Sequence, residues 1–340
     1  MEKLDRCYAV NVIDINNEKY GFYATEGHGE CFAYDCESFT KRAQVWEQPG
    51  GTMSMVPIPD KPGEFLAIQK FFRLYQWEEA CLVWVKLGKN GKFQVKKMFT
   101  LPYLHRFDIV KRSGVNWLLC CTLAEHRDSK EDWTTPGSVY AGILPENPEE
   151  EIKLQCLKGD CFQNHGYTRV WKDDYSYGLI TCQQGVFSFI PPKTVNGSWE
   201  IKKILDKAVS DVDVIDLDGD GNLEMAVIEQ FHGRYFRIYK CIDGVWEKVY
   251  EHPEVTEFYH VVKAGTLCGE PVFVGGCRRG KQQLFVVSYR KDLKKYEMTV
   301  IDEKIGPSNV CIYNSIKGDR ILVAGREIGQ ALVYEVCKDK

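Results

Sequence analysis

The sequence has no C-x-x-C pair, no uninterrupted apolar run near the 18 residues that a membrane helix needs, no block of basic residues and almost no helical periodicity. Without a basic block, a formal net charge of -4 spread over 340 residues offers no phosphate-tracking surface, so nucleic acid is not an expected partner. Without a long apolar run, and with charges where a signal peptide needs an apolar core ("MEKLDRCYAVNVIDINNEKY"), the chain reads as cytoplasmic with no membrane contact. A G-x-S-x-G elbow, Walker and dinucleotide glycine motifs and H-E-x-x-H are all missing, which leaves hydride and phosphoryl transfer unsupported. Cysteine is abundant, with fourteen residues, but they are scattered through apolar contexts such as "WLLCCTLA" and "NVCIYNS" and read as reduced, buried thiols.

What recurs is a short run rich in Val, Ile, Tyr, Phe and Leu, then a turn of Gly, Asn, Asp or Pro, then another run. The runs group into units of about 45 to 50 residues, the period of propeller blades. At four strands per blade the length suits an all-β, seven-bladed β-propeller of four-stranded antiparallel blades, one domain over 1–340. The innermost strand of each blade (strand a) is expected at 8–14, 53–57, 105–111, 166–172, 211–216, 260–265 and 309–315. The next (strand b) is expected at 20–24, 64–69, 116–122, 177–182, 224–229, 271–275 and 320–324. The last unit shows three strands, ending at 331–336, so the N-terminal residues are expected to close the ring. A meander reverses at every turn, which puts the approaches to strand a and the b–c loops on one face and the a–b loops on the other.

Two features fall on opposite faces of this scheme. In "DLDGDGNLE", Asp216, Asp218, Asp220 and Glu224 stand at positions 1, 3, 5 and 9, with Asn222 able to add its carbonyl and Gly219 and Gly221 free to take positive φ. A hard cation such as Ca²⁺ wants six to eight oxygens, so the expectation is one structural calcium stapling an a–b hairpin. On the other face lie His105, His165 and His260 at the starts of strand a, and His28, His126 and His232 in or beside b–c loops. Gln69, Gln183 and Arg278 join them from other blades. Two longer loops bring more. "KFFRLYQWEE" offers Phe71, Phe72, Tyr75 and Trp77, and "LAEHRDSKEDWTTPG" offers His126, Arg127, Lys130 and Trp133. Aromatic faces among hydrogen-bonding groups suit a sugar ring, or packing over the channel. Neutral imidazoles beside cations suit proton abstraction next to a carbonyl or carboxylate, and three or more converging imidazoles could bind Zn²⁺ or Mn²⁺.

The spacing of the acidic loop resembles the FG-GAP calcium loops of integrin alpha-subunit propellers and VCBS-repeat proteins. "LPYLHRFDIV", "KEDWTTPG", "DLDGDGNLEMAVIEQFHGRYFRIYK" and "ILVAGREIGQALVYE" together resemble the propeller of the aldos-2-ulose dehydratase family and related bacterial propellers, and more distantly the rhamnose-glucuronate lyases. The resemblance runs from about Leu101 onward, without the cupin domains of the dehydratase. It implies a small carbohydrate substrate, elimination without a redox cofactor, and catalytic or metal-binding roles for His105, Arg106, His165, His232 and His260. The competing expectation is a lectin-like or protein-docking propeller without turnover; a metal-dependent hydrolase or isomerase is the third.

Overall fold

A computed structural model describes residues 3–40, 42–72 and 77–337, the side chain of Arg42 excepted. Its strands form seven antiparallel sheets, six of four strands and one of three, arranged as a seven-bladed propeller. The innermost strands are Cys7–Ile15, Met55–Pro57, Leu104–Arg112, Tyr167–Trp171, Asp211–Ile215, Tyr259–Leu267 and Pro307–Ser315. Each lies within about two residues of its expected place, because the alternation of apolar residues fixes which stretches can bury a face. No helix among the described residues is long and apolar enough to cross a membrane.

The turns follow from local chemistry. Asn16-Asn17, Ser113-Gly114 and Cys268-Gly269 each have positive φ at both positions, the two-residue hairpin geometry that matches strand twist. The cores lie between blades. One cluster joins each neighbouring pair, for example Phe22, Phe65 and Ala67 between blades 1 and 2, and Phe236, Phe273 and Phe285 between blades 5 and 6. All fourteen cysteines are free thiols, most of them buried among these apolar side chains.

The ring closes between blades 7 and 1. Among the described residues the N-terminal segment contributes one bridge, Lys3 to Gln330, in place of a fourth strand, with Leu4 N–H donating to Gly329 O at 2.8 Å. Tyr23 Oη donates to Leu332 O at 2.8 Å, Arg320 donates to Cys36 O at 2.7 Å, and Leu4, Cys7, Tyr23, Phe32, Leu322 and Ala324 share one core cluster. The joint is therefore apolar packing with a few cross-blade hydrogen bonds.

Candidate functional site

The starts of the innermost strands bring the chemistry together. Tyr8, His105, His260 and Ser308 each occupy an irregularity where the a–b register slips by one residue, and such bulges re-aim a side chain. His165 and Ser210 precede the corresponding strands of blades 4 and 5. Gly166 lets His165 in: a Cβ there would lie 2.5 Å from Ser210 O and 2.6 Å from Asp211 Cα. His165 Nδ1–H in turn donates to Ser210 O at 3.1 Å. Gly166→Ala is expected to cost about 1–3 kcal/mol by overpacking this junction. A thermal unfolding midpoint equal to wild type would show that the junction yields freely.

Four imidazoles converge. Ring centroids are separated by 4.6 Å for His105 and His165, 4.8 Å for His165 and His232, and 5.3 Å for His232 and His260. His260 Nδ1–H donates to Ser308 O at 2.7 Å, which leaves its Nε2 as a lone-pair acceptor facing Tyr8 Oη at 3.4 Å. The Ser210 contact likewise turns His165 Nε2 inward, 3.3 Å from His232 Nε2. His232 arrives on a tight b–c loop with φ of 44°, followed by Gly233, where a Cβ would fall 2.1 Å from Gln230 N. Burial lowers the pKa of every member, His165 to about 3, helped chiefly by the charge of Arg106 at His105 and His165, of Arg278 at His260, and of His165 and Arg278 at His232. Neutral rings with inward lone pairs are bases or ligands.

The donor set fits a metal. Ring nitrogens of His165, His232 and His260 all lie within 4.8 Å of one another. Ligands at 2.0–2.1 Å from a tetrahedral ion stand roughly 3.3–3.4 Å apart, which is the His165–His232 separation. Two of the three rings carry the backbone-carbonyl contact on the opposite nitrogen that fixes tautomer and orientation in metal sites. His105 stands beside the trio, its Nδ1 buried without a hydrogen-bond partner.

The remaining expected residues divide. Arg106 is buried, donating to Met53 O at 2.6 Å, with its guanidinium 5.9 Å from the Tyr8 ring centroid. Arg278 is also buried, paired to Glu327 at 3.0 Å and lying 5.0 Å from the centroid of Phe258. Trp77 is buried and stacked on Phe71, whose ring meets His105; Trp133 packs on Phe231 under Arg127. Phe231 and Phe258 flank His232 at 3.9 and 4.1 Å. Trp77 and Trp133 are thus parts of an aromatic cap over the imidazoles, so that His105, His165 and His260 are only 1–3% exposed. Gln69 is buried beneath the same face. His28 lies outward, on Phe72 in a separate cavity; His126 pairs with Asp128, Lys130 with Glu131, and Gln183 is exposed, so none of these four touches the cluster. Tyr75 falls outside the described residues. Tyr8 is the member that the sequence reading passed over, although it occupies in blade 1 the place that His105 and His260 hold in theirs.

Below the imidazoles the channel opens into a cavity of about 400 Å³ lined by Arg106, Asp108, Thr168, Arg169, Asp211 and Lys263 among others. Asp108 pairs with Arg169 at 3.2 Å, and Asp213 accepts from Thr168 at 2.7 Å. Burial raises the Asp211 carboxyl to about 6.

The acidic loop is at the other end of the blade 5 hairpin from His232, with the six-residue strand Glu224–Glu229, roughly 17–20 Å long, between them. Asp216 accepts from Gly219 N–H at 2.8 Å and Gly221 N–H at 2.9 Å, and Asp220 from Asn222 N–H at 2.9 Å. At its centre is an ammonium group of the chain itself: Lys240 Nζ is 2.5 Å from Asp218, 2.7 Å from Asp220 and 3.0 Å from Glu224. Burial alone would lower the pKa of Lys240, but the three carboxylates outweigh it and hold it well above the usual range. The calcium expected from the spacing therefore has a resident competitor.

No known protein-family model matches the chain, and no curated protein is similar to it. Among solved structures, a candidate 6-phosphogluconolactonase from Bacteroides uniformis superposes with a TM-score of 0.59 at 13% identity, covering 97% of this chain and 92% of that one. Sqt1 of Saccharomyces cerevisiae gives 0.55 at 10% identity over 99% and 97%, and the Myceliophteria thermophila Cps50 (Swd1) β-propeller domain 0.59 at 10% over 99% of both chains. At such identities the likeness is one of fold. The propeller implied by the resemblance to aldos-2-ulose dehydratases is present, while these three solved structures are of other kinds and add nothing to the narrower kinship.

Proposed function

We propose that the chain is a carbohydrate-acting lyase or dehydratase whose reacting centre is the imidazole cluster. The observation that carries this reading is the tethering of His165 and His260 by backbone carbonyls, which turns the free nitrogen of His165 toward His232 and that of His260 toward Tyr8 in a buried, cation-flanked space. The likeness to a candidate 6-phosphogluconolactonase agrees with a sugar-acting propeller without choosing the reaction. His165, His232 and His260 would hold Zn²⁺ or Mn²⁺, which when bound supplies Lewis acidity toward a substrate oxygen.

The chain's own groups do the rest. His105 Nδ1, without a partner, takes the proton next to the substrate's carbonyl or carboxylate as that C–H bond breaks. The Arg106 guanidinium balances the negative charge that develops. The electron pair forms the double bond, the C–O bond breaks, and the leaving oxygen takes a proton from Tyr8 Oη. For the acidic loop we propose that Lys240, and not calcium, is the resident cation.

The test is incubation with a panel of uronides, keto-sugars and sugar lactones after loading with Zn²⁺ or Mn²⁺, following the ultraviolet absorbance of conjugated products. Absorbance growth abolished in His105→Ala is the expected result. A lectin-like or protein-docking propeller, to which the sealed cap over the imidazoles would be suited, would give saturable binding and no product with every member of the panel.

A further inference from the structure

Trp171 ends the innermost strand of blade 4, on the a–b loop face, and is 62% exposed. It lines the same cavity as Arg106 and Asp211, which lie at the cavity's other end beside the imidazoles. A large aromatic face left in water at the mouth of a polar channel has no packing role to explain it, and the Arg169 guanidinium lies 5.3 Å from its centroid. The cations along the wall are not equivalent. Arg169 is matched by Asp108 at 3.2 Å and Lys263 faces Asp213 at 3.8 Å, whereas Arg106 has no ion-pair partner among the described residues and spends one nitrogen on Met53 O and Ser54 Oγ. Asp211, whose Oδ2 accepts from Val262 N–H at 3.0 Å, likewise has no ion-pair partner there. A buried guanidinium with donors to spare suits a carboxylate, and its flanking Asp, Asn and Thr side chains suit hydroxyls.

We infer that the channel mouth beside Trp171 is a binding site for a small polyhydroxylated carboxylate, which stacks on Trp171 with its carboxylate directed up the channel toward Arg106. The cavity's lining ends at Arg106 and Asp211, short of the rings, so a ligand reaching the imidazoles from the a–b loop face would pass Arg106. A volume of about 400 Å³ accommodates one or two sugar units. The route rests on the proposed reacting centre; the binding site itself does not.

Isothermal titration with glucuronate and galacturonate, against glucose and galactose as uncharged counterparts, tests the site. The uronates are expected to bind saturably and at least tenfold more tightly than the neutral sugars. Trp171→Ala, a surface change that leaves the fold intact, should weaken uronate binding by tenfold or more. Arg106→Gln should remove the preference for the acid, with thermal unfolding run alongside and Arg106→Lys as the milder variant, expected to keep part of that preference. Absence of saturable binding, or binding unchanged in Trp171→Ala, overturns the inference. If product forms from the panel and Trp171→Ala leaves its rate and KM unchanged, the route is wrong and the reacting centre stands. Binding that depends on Trp171 without product from any compound sustains the site and contradicts the proposed function.

Discussion

Replacing His232 by alanine is expected to lower turnover by a hundredfold or more on whichever panel compound proves to be the substrate. Loss of a positioned imidazole typically removes 10² to 10⁴ in rate. Two roles lead to that outcome: as a ligand His232 closes the trio, and as an unmetallated ring it hydrogen-bonds His165 at 3.3 Å and fixes its orientation. The cost to folding is smaller. His232 is half-buried between Phe231 and Phe258, and aromatic contacts of this kind are worth about 0.5–1.5 kcal/mol each. Thermal unfolding and initial rates measured on the same preparation separate the two. A variant that unfolds early but turns over normally would make His232 a packing residue.

The second large effect belongs to the other end of the same hairpin. Lys240→Met is expected to destabilise the protein by about 3–5 kcal/mol, because removing one member of a buried ion cluster leaves the others uncompensated. Glu224 is fully buried and cannot recover its hydration without opening the hairpin, and Asp218 keeps only 13% of its side chain exposed. The same variant should gain a response to calcium. With the ammonium gone, the carboxylates of Asp216, Asp218, Asp220 and Glu224 and the Asn222 carbonyl are free for a hard cation, and a ligand at a hundredfold excess over its dissociation constant returns about 2.7 kcal/mol. Wild-type protein should show the same unfolding midpoint in calcium and in chelator. A wild-type midpoint that rises with calcium would instead restore the structural calcium that the loop spacing suggests.

The contrast between these two sites shows what the chain discloses locally. Strand positions were legible because short runs rich in Val, Ile, Tyr, Phe and Leu lie between strong turn formers, and the blade count followed from their period. The facing of His105, His165, His232 and His260 was legible too, since a meander fixes the face of every loop. Radial position was not. His28 and His126 fall on the right face but too far out, because nothing in a single blade states how far its b–c loop reaches toward the axis. Trp77 and Trp133 were recognisable as aromatics in long loops, yet whether they meet solvent or one another depends on packing across blades. Lys240 was within reach of sequence reasoning: it pairs directly with Glu224 across strands b and c, so extending the strand register by one step places a cation among the acids. Arg106, Asp211 and Trp171 come from three blades and share a cavity only once the ring closes.

The central claim is that the imidazole cluster is a metal-loaded reacting centre, and metal content tests it most directly. Wild-type protein loaded with Zn²⁺ or Mn²⁺ and freed of excess by gel filtration is expected to retain about one equivalent per chain by elemental analysis. The His165→Ala, His260→Ala double variant, folded by circular dichroism, should retain none. Retention of less than a tenth of an equivalent by the wild type, or equal retention by both proteins, would contradict the claim.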